Sequence, residues 1–276
     1  MPRRTKIIAT LGPATDDAKT MQGLIQCGLD LARINLSHDT HSRHRDRVRA
    51  LRACVDGSSR HVGLLADLQG PKIRIGRFRE GSVVLKEGEL FAIDLTCPLD
   101  EGDLHRVGTT YGDLVRDVVR GNTLLLDDGA IALWVNEVQD SVVHCRVVVG
   151  GELSNHKGIN KLGGGLSAPA LTDKDKIDIR FAAELGADYV AVSFVRNADD
   201  VRKARTLLRE AGCQAGIIAK IERAEALNCI EEIIDASDAI MIARGDLGVE
   251  LGDAELPSVQ KRLIRLAQER NSVAIT

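Results

Sequence analysis

Two rhythms of apolar and polar residues alternate along the chain. In the first, a short aliphatic run is followed by a helix-length stretch whose apolar residues recur every three or four positions. Lys6–Leu11 (KIIATL), Leu31–Leu36 (LARINL) and Val62–Leu68 (VGLLADL) are such runs. Between the first two, Met21, Leu24, Ile25 and Gly28 follow the acidic start Asp16-Asp17. A His- and Arg-rich stretch, Thr40–Val55, separates the second from the third. Strand–helix–strand order of this kind predicts parallel strands joined by right-handed crossovers.

After Pro71 the rhythm changes. From Ile73 to Gly165 the segments are short, β-rich and punctuated by Gly and Asp: SVVLKEGELFAIDL, NTLLLDDGAIALWVNEV, SVVHCRVVVGG. Alternation broken by turn residues predicts a small β-barrel or sandwich, with a helical turn or two inside Thr110–Arg120. The first rhythm then returns. A helix is expected over Asp173–Leu185 with Ile177, Phe181 and Leu185 on one face, then a strand over Asp188–Phe194. Asn197–Ala211 groups Val201, Ala204, Leu208 and Ala211, and Gly216–Ile221 is another strand. Ala224–Asp235 reads as a helix and Asp238–Ile242 as a strand. Glu255–Arg270 turns Val259, Leu263, Leu266 and Ala267 to one side before a last extended run from Ser272.

Seven strand candidates thus lie outside the β-rich stretch, with polar residues recurring at their ends: Arg33, Asn35, Ser37, Asp67, Lys220, Glu222, Arg244 and Asp246. A doubly wound sheet would carry GxGxxG or GxxxxGK[ST], and neither is present. Polar groups converging from several strand ends are what the C-terminal face of a (β/α)8 barrel collects. The expected fold is an α/β (β/α)8 TIM barrel, incomplete, with an inserted β-barrel domain or sandwich. Residues 1–70 would be the first part of the barrel, 71–167 the insertion and 168–276 the continuation. Thr276 falls inside or just after the seventh strand, leaving a sheet edge and apolar helix faces uncovered, so truncation is expected.

Composition narrows the classes. Hydrophobic residues make up 44% of the 276 and aromatics only 3%, which suits an aliphatic core, and the net charge of -3 predicts no nucleic-acid partner. No run approaches the roughly 18 apolar residues of a membrane span, and MPRRTKIIATLG lacks a signal's apolar region. A cytoplasmic protein without a membrane partner is expected. Six scattered cysteines with no CxxC pair read as structural thiols.

The chemistry sits at the strand ends. In GIIAKIE, Lys220 and Glu222 are two residues apart and leave an extended segment on the same side. In DAIMIARGDLGVE, Asp246 follows a strand behind Gly245, where backbone can approach a ligand closely. Singly, these read as a strand-end salt bridge and an RGD turn. Together they offer two hard carboxylates for Mg2+, which keeps water and substrate oxygens in its other positions. Lys220 beside them could neutralise a transferring phosphoryl group or a developing enolate, with Arg33 and Arg74 adding positive charge. Asn35, Ser37 and Asp67 suit either an oxygen-rich cation site or local caps and turns. His38, His41 and His44 read as solvent-facing, and the basic cluster Arg43–Arg52 as a solvated helix face. Ser154–Pro169 (SNHKGINKLGGGLSAP) reads as a return linker in which Lys157 and Lys161 could hold phosphate.

Seven motifs, in order through the whole chain, resemble the pyruvate kinase family. They are TKIIATLGPAT (Thr5–Thr15), ARINLSH (Ala32–His38), DLQGPKIR (Asp67–Arg74), LDDGAI (Leu126–Ile131), KGIN (Lys157–Asn160), AKIE (Ala219–Glu222) and ARGDLGVE (Ala243–Glu250). The resemblance implies a (β/α)8 barrel with a mobile β-domain lid after the third strand. It implies phosphoryl transfer from phosphoenolpyruvate to ADP in glycolysis, giving pyruvate and ATP. Glu222 and Asp246 match Mg2+ or Mn2+ ligands, Lys220 the lysine that stabilises transfer, and Arg33 a substrate-phosphate contact. Gly245 and Asp246 match substrate contacts, and Asn35, His38, Arg74 and Lys157 the nucleotide side. Asn35, Ser37, Asp67 and the Leu68 carbonyl correspond to K+ ligands.

Two departures alter what carries over. Lys72 stands where many members have Glu, and Leu68 where many have Thr. In this family lysine at the first position accompanies independence from potassium, so the Lys72 ammonium could replace K+. Asn35, Ser37 and Asp67 are nevertheless present, and K+ is expected as a possible ligand that is not required. The family continues beyond Thr276 to a threonine associated with proton delivery, an eighth strand and a C-terminal regulatory domain. Little turnover is therefore expected of these 276 residues by themselves, and the homotetramer usual in the family is an expectation for the whole enzyme only. Two rival readings are a phosphoenolpyruvate- or pyruvate-binding barrel lyase and a non-catalytic fragment.

Overall fold

The computed structural model describes residues Arg3–Thr276. Its elements run β1 (Ile8–Thr10), α1 (Ala18–Gln26), β2 (Leu31–Asn35), α2 (His41–Asp56) and β3 (Gly63–Asp67). Then come β4 (Ser82–Leu85), β5 (Leu90–Asp94), β6 (Arg106–Val107), α3 (Leu114–Asp117), β7 (Thr123–Leu126), β8 (Ile131–Gln139), β9 (Val142–Val149), β10 (Gly151–Ser154) and β11 (Ile159–Lys161). The chain continues through α4 (Asp173–Glu184), β12 (Tyr189–Val192), α5 (Ala198–Glu210), β13 (Gly216–Ile221) and α6 (Ile230–Ala236). It finishes with β14 (Ala239–Ile242), α7 (Arg244–Leu251), α8 (Leu256–Glu269) and β15 (Val273–Ile275).

Seven strands form one all-parallel sheet in the order β1-β2-β3-β12-β13-β14-β15. The segment between β3 and β12 contributes none of them. Its strands make a six-stranded sheet, β11-β7-β8-β9-β5-β6, and the antiparallel pair β10-β4, around their own apolar core of residues such as Phe91, Leu124, Leu133 and Val143.

The parallel sheet has two unlike faces because side chains alternate along a strand. Ile34, Leu64, Ala66, Val190, Val192, Ile217, Ala219 and Ile240 face the helices and share a core with Ile179, Phe181, Val201, Leu208, Ile233 and Leu263. Leu65, Ala191, Ile218 and Ala239 face the other way and pack with Ile8, Leu31, Met241 and Ile275. Helices on one face and a second small core on the other match barrel organisation rather than a doubly wound sheet.

Several sequence expectations need correction. Ile177 is exposed; α4 instead buries Asp175, Asp178, Ile179, Phe181 and Ala182. The Thr172–Asp175 capping box fixes the start of that helix, and the Asp178 carboxylate takes Lys174 at 2.5 Å and His41 at 2.7 Å, so polar positions occupy part of the inner face. His44 is buried, with Nε2 2.8 Å from the His38 carbonyl; burial holds its ring below the ordinary histidine range. Arg47 is not part of a solvated face. It is buried between Asp16 (Nε–Oδ1 2.5 Å) and Asp39 (Nη1–Oδ2 2.6 Å) and ties α2 to the loops after β1 and β2. The ARGDLGVE segment is no simple turn but the helix α7, which the glycines Gly245 and Gly248 obscure in the sequence. The six cysteines are free thiols.

Candidate active site

The face that carries the small inner core changes character along each strand. Two residues beyond Leu31 is Arg33, two beyond Leu65 is Asp67, two beyond Ala191 is Ser193 and two beyond Ile218 is Lys220. With the strands in parallel register, these polar residues gather at one edge, the C-terminal ends.

Asp67 is the hub and is almost fully buried. Its Oδ2 accepts from Arg33 Nε at 2.7 Å and lies 2.5 Å from Nη2. Its Oδ1 lies 3.3 Å from Lys220 Nζ, an ion pair without a formed hydrogen bond. Lys220 donates to Ser193 Oγ at 2.7 Å and pairs with Glu222 Oε1 at 2.9 Å. Glu222 Oε2 accepts the Phe194 backbone N–H at 2.7 Å, and Arg33 Nη1 donates to Thr10 Oγ1 at 2.7 Å. The same-side placement of Lys220 and Glu222 is therefore observed.

Electrostatics follow from burial and neighbours. Burial by itself would lower the Lys220 ammonium, but Glu222 and Asp67 outweigh it and hold the group above the ordinary lysine range. Burial pushes the Glu222 carboxyl up; Lys220 counters this and the nearby Asp246 charge adds to it. Among the described residues no hydrogen bond or ion pair engages the Asp246 carboxylate.

Arg33, Asn35, Ser37, His38, Lys72, Arg74, Lys220, Glu222 and Asp246 line one cleft of about 320 Å³ with Gln69, Ser193 and Phe194. Three expected residues stand differently. Lys157 does not line that cleft and pairs with Asp127 at 2.7 Å. The Leu68 carbonyl accepts the Ser193 hydroxyl at 2.8 Å. Asn35 Oδ1 accepts the Ser37 N–H at 3.1 Å, the local turn foreseen as the alternative to ligation. Gly245 is exposed in the first turn of α7, beside Asp246.

A narrower gap separates the β-rich segment from the sheet. Lys72, Asp128 and Asn160 line one side, and Phe194, Arg223, Asp246 and Glu250 the other. Here the buried Glu250 accepts the Ala224 N–H at 2.8 Å through Oε2, while its carbonyl accepts the Gly163 N–H at 3.0 Å. Burial pushes its carboxyl up to about 7.

Ser193, Phe194, Arg223 and Glu250 were not singled out in the sequence. Ser193 could have been: it continues the inward phase of an apolar strand and is polar.

A parallel strand–helix repeat whose strand ends gather two cations and three carboxylates is the signature of a β/α-barrel enzyme. Comparison with known proteins narrows the class. The family model described as "Pyruvate kinase, barrel domain" matches residues 2–276. The chain is 53% identical over 277 residues to "Pyruvate kinase II" of Salmonella typhimurium, covering 99% of this chain and 58% of that protein. It is 48% identical over 277 residues to "Pyruvate kinase" of Haemophilus influenzae, with 99% and 58% covered. With "Pyruvate kinase" of Mycobacterium tuberculosis the identity is 46% over 269 residues, covering 98% and 57%. The chain belongs to the pyruvate kinase family and has its α/β barrel domain on a parallel sheet, and it spans somewhat over half the length of these curated relatives. Among the described residues no helix is long and apolar enough to cross a membrane.

Proposed function

We propose that the cleft at the strand ends is the site of phosphoryl transfer from phosphoenolpyruvate to ADP, giving pyruvate and ATP. The observation carrying this reading is the Arg33–Asp67–Lys220–Glu222 chain of charges, with Asp246 free beside it.

A divalent cation fits the donors present. The Asp246 charge adds to the cost of ionising the buried Glu222, and a divalent cation held by the two carboxylates would offset that cost. Among the described residues no group of three or more His, Cys, Asp or Glu forms a closed metal cage. Two carboxylates are an adequate protein share for Mg2+ or Mn2+, which fill their remaining positions with water and substrate oxygens. When bound, the ion would supply charge neutralisation to the transferring group.

The chain's own residues supply the rest. Arg33, fixed by Asp67 and Thr10, presents its guanidinium to a phosphoryl group entering the cleft. Lys220 compensates charge as the bond between phosphorus and the enol oxygen breaks and the ADP oxygen takes the phosphorus, leaving an enolate whose carbon is then protonated by solvent. His38 and Arg74 would serve the nucleotide, and Lys72, which lines the cleft with Asn35 and Ser37, would take the part of a monovalent cation. K+ would then be a possible ligand rather than a requirement. Residues 71–167 act as a lid whose closure excludes water as a competing acceptor. The setting is cytoplasmic, and the homotetramer belongs to the longer protein.

ADP-dependent pyruvate formation, measured with and without Mg2+ and K+, tests the reading. Metal-dependent aldol cleavage without ADP would overturn it.

A further inference from the structure

The corner where the chain leaves β12 has no assigned part in the site above, yet both charged partners of the site rest on it. Phe194 is left-handed, with φ 55°. For a bulky side chain that conformation is an outlier, and it persists only where the surroundings over-determine it. Three contacts do so. A Cβ placed on Gly70, itself left-handed with φ 67°, would lie 2.8 Å from both Ser193 Cβ and Phe194 Cδ2, so the turn leading into the β-rich segment presses directly on the corner. The Arg223 guanidinium lies 5.6 Å from the centroid of the Phe194 ring. The Phe194 N–H is spent on Glu222 Oε2 at 2.7 Å.

The neighbouring hydroxyl is equally committed. Ser193 donates to the Leu68 carbonyl at 2.8 Å, so its lone pairs face Lys220 Nζ at 2.7 Å. Lys220 has three N–H groups and three acceptors around it: this hydroxyl, Glu222 and Asp67. The hydroxyl is the only neutral one. It therefore holds the ammonium in place without cancelling its charge.

We infer that Ser193 and Phe194 are positioning residues with separate duties: the Phe194 N–H aims the Glu222 carboxylate for the divalent cation, and the Ser193 hydroxyl aims the Lys220 ammonium for the phosphoryl anion. This inference rests on the proposed metal and phosphoryl site. A corner that merely ends a strand would show no such division of labour.

Binding of Mn2+ alone, followed by loss of its free electron-resonance signal, and of inorganic phosphate in the presence of Mn2+, followed by calorimetry, tests it on the 276-residue chain. Ser193→Ala should weaken phosphate about tenfold and leave Mn2+ affinity within about twofold, since a hydrogen bond to a charged group is lost on one arm only. Phe194→Gly keeps the left-handed backbone accessible but frees it to wander, and should weaken Mn2+ about tenfold. If Phe194→Gly does not fold, Phe194→Asn, which also tolerates this backbone, replaces it. Both affinities unchanged in both variants, with only a lower melting temperature, would overturn the inference. So would parallel losses on both arms in Ser193→Ala. Glu222→Gln separates the two levels: if the unsubstituted chain binds Mn2+ no better than Glu222→Gln, the metal reading falls and takes the inference with it. Tight binding by the unsubstituted chain with unaltered corner variants sinks the inference alone.

Discussion

The two ends of the parallel sheet both carry a row of acidic side chains, and they use them in opposite ways. At the N-terminal end, Asp30, Asp188 and Asp238 precede the second, fourth and sixth strands of the sheet. Each accepts, through a carboxylate oxygen, a backbone N–H in or just before the neighbouring strand: Ile7, which precedes β1, at 2.8 Å, Leu64 at 2.7 Å and Ile217 at 2.6 Å. These acids fasten strands together and have settled partners. At the C-terminal end, Asp67 and Glu222 meet Arg33 and Lys220, Asp246 has no partner among the described residues, and burial works against ionisation of Glu222. One end is locally satisfied; the other keeps a half-buried carboxylate, Asp246, without a protein partner among the described residues. A difference in satisfaction, rather than in residue type, marks the end where chemistry belongs.

The strongest way to break that comparison is to unbalance the C-terminal end. Lys220→Met should leave Asp67 and Glu222 buried with one cation between them, costing about 3–5 kcal/mol in urea unfolding. Phosphate binding should be lost as well. Adding Glu222→Gln should recover much of the stability and none of the phosphate binding. A loss below about 1 kcal/mol for the single variant, on the scale of exposed pairs, would mean that the charges at this end are solvated and the contrast is illusory.

Next in size is Glu250, beneath the β-rich segment. Its carboxyl is raised to about 7, so between the ordinary carboxylate range and pH 7 the folded chain keeps a proton that the unfolded chain has released. Stability from this proton is full below about pH 4, falls as pH rises, and is gone above pH 7, a swing of up to about 3 kcal/mol. Glu250→Gln should match the unsubstituted chain at pH 5 and exceed it at pH 8. Melting curves at the two pH values decide. Equal melting of the two proteins at pH 8 would assign Glu250 to a solvated position.

Much of this was readable from the sequence because it depends on spacing within a strand. The Lys220–Glu222 pair, the change from apolar to polar along Leu31–Arg33 and Leu65–Asp67, and the two rhythms that separate the parallel sheet from the strands β4 to β11 are all local patterns. What escaped depends on contacts across the fold. Asp30, Asp188 and Asp238 look in sequence much like Asp67: acids beside aliphatic runs, told apart only by which strand end they occupy. Arg47 and His44 were misread as solvated because their partners, Asp16 and the His38 carbonyl, lie outside the helical face that carries them. Ile177 obeyed the helical period but lost the inner face to Asp178, whose cationic partners no periodicity announces. The Phe194 backbone conformation has no sequence signal at all.

At the N-terminal end the corresponding test is gentler. Asp188→Ala should cost about 1–2 kcal/mol, one buried backbone N–H losing its acceptor. It should leave Mn2+ binding untouched, because the strand ends that form the cleft lie on the opposite edge. A change in Mn2+ affinity beyond about threefold would show that the two ends are coupled through the sheet.

The smallest expected effect on stability is the most diagnostic, and it comes from comparing a glycine at each end. A Cβ at Gly63 would fall 2.8 Å from Leu31 Cδ1 and 3.3 Å from Asp188 Oδ2, so packing at the N-terminal end accounts for that glycine. A Cβ at Gly245 would meet no atom within 4 Å, and the residue is helical in α7. The fold alone gives no reason for glycine there. Gly245→Ala should leave the melting temperature unchanged or slightly higher, since alanine in a helix is favoured by at most about 1 kcal/mol. If the site binds phosphoenolpyruvate against the start of α7, the same methyl group should crowd the ligand and weaken it about tenfold, with Mn2+ affinity retained because both carboxylates remain. Calorimetric titration of phosphoenolpyruvate in Mn2+ reads the difference. Unchanged affinity in Gly245→Ala would remove the ligand from this helix end and leave Asp246 with the cation as its only duty.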